Sequence, residues 1–547
     1  TSHPPAEPND RHPVAGRAAV VGTARGSAAA CVQGLDRPAT SVGPQWLETE
    51  VDLPGGGEGR VGYLHLVGGD PAAALADFDR LAADIPGAVA AATALWEAEI
   101  AAAFTPGNGR WSGCLPVLRT GNAALRRLYY LGALGVMYMR RDTPASTLRR
   151  AYDTLMPRYW QTTTFIWDYM LSSCVHALLD PAPMRQQLAL WMSLDIHTHF
   201  GTEWQHGSPV GYWYAVNDYA MTRLVREYVR CTGDTGFLDE QFAAASGVRK
   251  PVAGHVVDWA RAWQGLRGAH GLADYGEMDN LLECVSSYTH EVASFNAANV
   301  WALRAAAEIA DARSDPSLAR RLRQEAAELF ARVNALYVPG GWWRSGQPDG
   351  SLVPVKHCLD FANVALAAGE DLSPTQRAEM VAFFQRELRT ASWLHALSPW
   401  DPDASYSRRP DHQWNGAYTA WPAEAALALY RLGRADLVAD WLPGLARTAN
   451  QGPFGQAHFT LDAAPGVAGG AAKAPPQPPY LTDWACSSSG AWVELVLCGV
   501  FGLAVPLVGE PTVTPRLSGI DPDATLSGLV LRGRRYAVSA SGLRAED

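Results

Sequence analysis

The feature that most constrains this chain is a train of apolar segments with an approximate 3.6-residue period. They fall at 73–103, 121–139, 145–157, 184–199, 216–232, 251–266, 291–311, 316–337, 359–368, 374–388, 420–433 and 436–449. That period lines apolar side chains along one face of a helix. Within 319–338, Leu322, Ala326, Leu329, Val333 and Leu336 share a face, while Arg323, Glu325 and Arg332 point elsewhere. A succession of such helices makes an array of helical hairpins, either an open solenoid or a closed toroid. No fixed-length repeat is present, which counts against a solenoid. The connecting loops are long, aromatic and polar, and loops on a rigid scaffold are where sites reside. The expected fold is mainly α, an (α/α)6 toroid with small β segments at the N- and C-termini.

The chain has 547 residues, too many for one ordinary core. Residues 1–75 read as a β-rich segment, with partial alternation at 60–67 (RVGYLHLV). Residues 76–115 read as a helical linker and 116–505 as the barrel. Residues 506–547 return to β, with 526–539 forming a hairpin around Gly533. The Ala/Pro/Gly stretch at 463–479 reads as a surface loop or lid.

Composition narrows the partners. Hydrophobic residues make up 48% and charged residues 18%, the balance of a globular chain. The net charge is −10 and no long basic run occurs, which argues against nucleic acid. Twenty Trp and nineteen Tyr supply flat faces and polar edges, the surfaces on which sugar rings pack. The eight Cys are scattered without a CxxC, as buried free thiols rather than a disulfide framework or zinc site. No stretch is apolar for long enough to span a bilayer, so no membrane partner is expected. The Thr-Ser-His-Pro-Pro start lacks a charged n-region and an apolar h-region, which sets a cytoplasmic expectation with secretion left open. Thr rather than Met in first place fits a processed or truncated start. A homo-oligomer is compatible with the sequence but not specified by it.

Five segments carry candidate chemistry. In 162–172 (TTTFIWDYMLS) the Trp167–Asp168 pair stands where a helix begins. A carboxylate there can accept two sugar hydroxyls beside an indole wall, or simply cap the helix behind a core Trp. In 200–219 six aromatics, Trp213 among them, crowd a loop with Glu203 and His206, leading to Asn217 and Asp218. That crowd suits a ligand wall, although Asn217 and Asp218 also suit helix capping. In 271–296 the carboxyls of Asp274, Glu277, Asp279 and Glu283 fall close together, followed by Tyr288 and His290. Glycoside cleavage needs a carboxylic acid for the leaving oxygen and a carboxylate to activate water or attack. Met278, Leu281 and Leu282 nearby would raise a carboxyl pKa, as a general acid requires. The other reading is a solvated acidic loop. In 399–422, Asp401, Asp403, Asp411, Arg408, Arg409 and His412 mingle with Trp400, Trp414 and Trp421. In 451–458, with Asp483, Trp484 and 487–490, further polar groups can complete a cup. His197 and His199 are two apart, wrong for one helical face, so no metal site is expected. No phosphate loop and no GxSxG are present, and no organic cofactor is expected.

At these residues the chain resembles the six-hairpin glycosidases, nearest to glycoside hydrolase family 63 and trehalase, with echoes of the disaccharide phosphorylases. Phe165-Ile166-Trp167-Asp168 resembles that family's aromatic-x-Trp-Asp segment, which contacts the sugar at the cleavage site. Gly276-Glu277-Met278-Asp279-Asn280 resembles the Gly-Met-Asp-Asn segment of the general acid, which makes Asp279 the candidate acid. Ser294-Phe295-Asn296-Ala297 resembles the Asp-Leu-Asn-Ala helix start that follows. Gln413-Trp414-Asn415-Gly416 resembles the Trp-Arg-Gly segment, with Asn415 in place of Arg. Residues 490–503 resemble the last barrel helix before a small β domain.

The resemblance implies an inverting, exo-acting glycoside hydrolase on a carbohydrate substrate. Trp167, Asp168, Trp213, Asn217, Asp218, Tyr288, His290, Trp414 and Gln456 are its candidate sugar contacts. Two departures matter. Asp279 lies closer to the Asn-Ala segment than the family acid does, so Glu283 competes with it. Where the family base is a Glu, this chain has Gln456, which cannot deprotonate water, leaving Asp411 as the candidate base. Other chemistries on the scaffold are a phosphorylase using Arg408, Arg409 and His412, or an epimerase using His290, His357 and His412. Gln456 also motivates a non-catalytic carbohydrate-binding protein.

Overall fold

The computed structural model describes residues 10–23, 28–156, 163–277, 285–404, 412–449, 457–459 and 485–546. The chain forms two compact units, Thr1–Ala101 and Ala102–Asp547. The first holds an antiparallel sheet of four strands, in the order Asp10–Pro13, Ala19–Thr23, Ala30–Leu35, Tyr63–Gly68. Helix α1, Pro71–Ala83, has Asp70 as its N-cap, the carboxylate accepting from the Ala73 N–H. Its Ala74 and Phe78 close a small core with Ala19, Ala30 and Val32. Helix α2 spans Ile85–Ala103.

The second unit is mainly α. Its helices are α3 Ala123–Tyr138, α4 Ile166–Leu171, α5 Ser173–Leu179, α6 Pro181–Met192 and α7 Asn217–Thr232. They continue with α8 Val252–Ala262, α9 Ala293–Ala312, α10 Pro316–Ala335, α11 Cys358–Ala368 and α12 Pro374–Phe383. The last are α13 Trp421–Arg431, α14 Ala435–Thr448 and α15 Gly490–Glu494. Among the described residues, no helix is long and apolar enough to cross a membrane.

The packing order alternates along the chain. Helix α5 packs on α7, α7 on α9, α9 on α11, α11 on α13, α13 on α15, and α15 on α5. The helices between them lie against these: α8 on α7 and α9, α10 on α9, α14 on α13 and α3. Helices α9 and α13 are buried on nearly every face, as a helix apolar all round must be. Helix α10 shows the expected stripe: Leu322, Ala326, Leu329 and Val333 are buried. Its Glu325 instead pairs with Arg261 of α8.

One buried face is not apolar. Arg223 of α7 holds Glu494 of α15 at 2.6 Å and lies 3.6 Å from Glu424 of α13. Arg226 binds Glu308 of α9 at 2.7 Å. Each charge is paired where it is buried, the condition under which ions are tolerated inside a protein.

Short strands set where the helices begin. A five-stranded antiparallel sheet runs Pro209–Val210, Gly201–Glu203, Thr163–Phe165, Leu155–Met156, Ala485–Cys486. Leu155 pairs with both Thr163 and Cys486, which brings the chain leading into α4 beside the chain leading into α15. The C-terminal strands Thr525–Leu531 and Arg534–Ser539 form the expected hairpin, and Val117–Arg119 pairs beside them.

Two sequence expectations are corrected. Of the segment 145–157, the described residues 145–156 are not helical: Arg150–Tyr152 is a strand paired with Arg140–Asp142. Pro144 restricts the residue before it, Arg149 takes a left-handed φ of 53°, and Tyr152 is pulled inward to donate to Asp180 at 2.8 Å. The helix expected at 184–199 is instead α6, which ends at Met192, because the chain must turn to place His197 and His199 in the loop before the sheet.

Gly132, in the middle of α3, marks a close approach. A Cβ there would lie 2.8 Å from the Ser489 carbonyl oxygen and 3.1 Å from Trp492 Cβ. Gly132→Ala should therefore destabilise the protein by about 1–3 kcal/mol despite the better helix propensity of Ala. Urea titration of the two proteins checks this; an unchanged or higher midpoint would show that α3 does not need the close contact.

Candidate functional site

The site is built from the N-terminal ends of helices. Strand Thr163–Phe165 runs straight into α4, so Trp167 and Asp168 fall in its first turn. A carboxylate there meets the positive end of the helix dipole. Asp168 is 8% exposed, and its Oδ1 accepts from the Tyr418 hydroxyl and, at 2.9 Å, from Ser488 Oγ. Tyr418 ends strand Gly416–Tyr418, just before α13, and Ser488 lies in the turn before α15. Burial pushes the Asp168 carboxyl up to about 6, while the two hydroxyls hold it down.

An aromatic wall continues from this carboxylate in two directions. On one side Trp167 meets Phe295 edge-on at 6.3 Å, Phe295 meets Tyr275 at 5.7 Å, and Tyr275 meets Trp213 at 6.2 Å. Trp213 lies 6.1 Å from the His197 ring, and His197 Nε2 is 3.0 Å from Asp218 in the first turn of α7. On the other side Tyr418 lies 5.7 Å from Trp421, which starts α13. Trp421 is 5.8 Å from His357, the N-cap of α11, and His357 stacks on Tyr288 at 4.5 Å. His412 lies beside both Tyr418 and Trp421. The Tyr288 hydroxyl is hydrogen-bonded to Ser294, next to Phe295 at the start of α9, so the two arms meet again.

Electrostatics follow from burial and pairing. Asp218 accepts from His197 and pushes its imidazole up to about 9, while burial raises the Asp218 carboxyl. The His197 imidazole is therefore charged at neutral pH, held so first by its hydrogen bond to Asp218. His357, with no acidic partner among the described residues, is driven by burial down to about 3 and stays neutral. Asp360 is pushed by burial up to about 7 and accepts the Ser294 N–H at 2.8 Å.

Three polar edges in this wall are bare. Trp213 Nε1, Trp421 Nε1 and His357 Nε2 are buried and find no hydrogen-bond partner among the described residues. Bare indoles also occur elsewhere, at Trp263 and Trp441, so one alone marks nothing. Three in one aromatic cluster around a buried carboxylate are the groups a polyhydroxylated ligand would satisfy. Among the described residues, no group of His, Cys, Asp and Glu is arranged to hold a metal.

The expected site residues divide in three. Trp167, Asp168, Trp213, Asp218 and Tyr288 come together in the linked cluster just described. Asn217, His290 and Trp414 have other settings. Asn217 is fully buried and donates to the backbone carbonyls of Ile196 and His199, tying down the loop before α7. His290 takes a left-handed φ of 58° and pairs with Asp274 at 2.9 Å. Trp414 is half-buried, and its carbonyl accepts from His395. Asp279, Glu283, Asp411 and Gln456 lie outside the described residues. Tyr418, Tyr275 and Asp360 belong to the cluster but were not singled out from the sequence. Asp360 carried a usable signal, a lone carboxylate in the apolar run of α11. Tyr418 carried none, since its role comes from a partner 250 positions away.

No family model matches the chain, and no curated protein matches it. Solved structures do. A sialidase shares the fold with a TM-score of 0.55 and 12% identity, over 79% of this chain and 40% of that one. A family GH78 rhamnosidase of Bacillus sp. GL1 does so with a TM-score of 0.52 and 16% identity, over 77% of this chain and 40% of that one. The chain thus spans about 40% of the length of each. The likeness is one of fold, and it falls on glycoside hydrolases.

The His197–Asp218 pair makes a pH prediction. A raised histidine pKa adds stability that is complete below the unfolded value of about 6.5 and is lost as pH rises. Stability should therefore decline between pH 6.5 and about 9. Asp218→Asn should flatten that decline, as read by thermal melts across the range; a decline of equal slope in the variant would locate it elsewhere.

Proposed function

We propose that the protein is an inverting, exo-acting glycoside hydrolase that cleaves a small oligosaccharide or glycoside. The observation that carries the reading is the buried Asp168 carboxylate, set in an aromatic wall with bare indole and imidazole edges. The fold shared with a sialidase and a rhamnosidase supports it, since both are glycosidases. The cyclic packing order of α5, α7, α9, α11, α13 and α15 is what an (α/α)6 toroid requires. A toroid gathers the starts of those helices at one mouth, and a mouth closed by loops makes a pocket suited to a chain end. The motif likeness to family 63 and trehalase belongs to the same proposal. So does a cytoplasmic location, which the free thiols of the described cysteines favour.

In this reading Asp168 is a sugar-holding carboxylate. One of its oxygens is filled by Tyr418 and Ser488, and the other accepts sugar hydroxyls. Trp167 and Trp213 pack on the ring faces. Asp279, or Glu283, protonates the glycosidic oxygen as the C1–O bond breaks. Asp411 takes a proton from the water that attacks C1 from the opposite face. No metal or organic cofactor is needed for these steps.

A second reading, sugar epimerisation, is favoured by one observation: His357 and His412 flank Trp421. Product analysis separates the two, since an epimerase interconverts free sugars and releases nothing from a glycoside.

The test is hydrolysis of a glycoside panel by wild type and variants. Asp279→Asn should lower kcat by about a hundredfold or more, with Glu283→Gln as the competing acid. Asp168→Asn should lower kcat/KM by about ten- to a hundredfold, as expected for losing a charged hydrogen bond to substrate. Full activity in both acid variants would overturn the mechanism.

A further inference from the structure

His357 is held in one orientation. Its backbone bridges Leu397, and as the N-cap of α11 its Nδ1 accepts the Leu359 N–H at 3.2 Å. One ring face stacks on Tyr288 at 4.5 Å and 24°. The Tyr288 hydroxyl is bonded to Ser294, whose N–H is held by Asp360 at 2.8 Å, so the stacking partner is itself anchored. Against Trp421 the ring stands at 76°.

The bond to the backbone decides the tautomer. A ring nitrogen that accepts an N–H carries no proton, so the imidazole is neutral and its proton sits on Nε2. Burial, which lowers the basicity of the ring, acts in the same direction. Nε2 is therefore a donor, and it is buried with no partner among the described residues. His176, also buried, is bare at both nitrogens, so no hydrogen bond fixes which of them donates. The neighbouring Trp421 Nε1–H is bare as well and can only donate. This side of the wall thus offers donors, where Asp168 offers an acceptor.

We propose that His357 is a substrate-binding residue that donates its Nε2–H to an oxygen of the bound sugar, and so selects neutral or acidic sugars against those with a free amine at that position. The inference rests on the proposed sugar pocket, not on hydrolysis within it. A buried donor facing an ammonium leaves both groups unpaired, and that mismatch is the source of the discrimination. The same tautomer bars His357 from acting as a base: Nε2 already holds the ring proton, and Nδ1 is committed to Leu359. The base of an epimerase would fall to His412 instead.

Two substitutions separate the two ring nitrogens. His357→Asn keeps an oxygen near the Nδ1 position to cap α11 and removes the donor. His357→Gln reaches the Nε2 position with an amide N–H and gives up the cap. Imidazole proton–nitrogen NMR of the isotope-labelled wild type reads the tautomer: the His357 ring should show Nε2–H, unchanged between about pH 5 and 8. Calorimetry with methyl glycosides of neutral hexoses, deoxyhexoses and hexuronates reads the contact. A glycoside that binds wild type should bind His357→Asn about tenfold more weakly and His357→Gln within about threefold. Among amino analogues of that glycoside, one should lose about tenfold or more on wild type and little on His357→Asn. A proton on Nδ1, equal binding to wild type and His357→Asn, or no binding by any of these glycosides would overturn the proposal. Binding that depends on His357 without hydrolysis of any glycoside would instead overturn the hydrolase and leave this inference standing. If His357→Asn does not fold, the wild-type signal still decides, because the bound glycoside must shift the Nε2–H resonance.

Discussion

The site depends on one buried carboxylate with two hydroxyl donors. Asp168 joins chain segments 250 and 320 positions away through Tyr418 and Ser488. Burying a carboxylate is costly, and its raised pKa expresses that cost. The cost is tolerated because the small sheet around Leu155 already brings the starts of α4 and α15 side by side. Backbone pairing places the partners; the carboxylate then fixes their side chains. Without that anchor, Trp167 and Trp421 would have no shared reference.

The same helices are organised differently deeper in. Helix α7 begins with Asp218 paired to His197 and continues with Arg223, which binds Glu494 and faces Glu424. The adjoining faces of α7, α13 and α15 are therefore stitched by ions rather than by apolar packing alone. Such pairs add little net stability over apolar replacements, but losing one partner leaves a buried charge.

Much of this was legible in the sequence, for physical reasons. The period of α10 announced its buried face, because an amphipathic helix on a core leaves no alternative. The start of α4 at Trp167–Asp168 and the hairpin about Gly533 were also readable. Residues 145–157 misled because apolar period alone does not register a left-handed Arg149 or the pull of Asp180 on Tyr152. The amide of Asn217 donates to two backbone carbonyls that only the folded loop presents, a setting its residue type alone does not announce. Tyr418 and Asp360 acquire their roles from distant chain, which no local pattern encodes.

The proposed function requires displacement at a sugar C1 by water, with two carboxyls far enough apart to admit it. The most direct measurement is the anomeric configuration of the first sugar released, followed by proton NMR before mutarotation. The account predicts the anomer opposite to that of the substrate. Release of the same anomer, or no release from any glycoside, would contradict it.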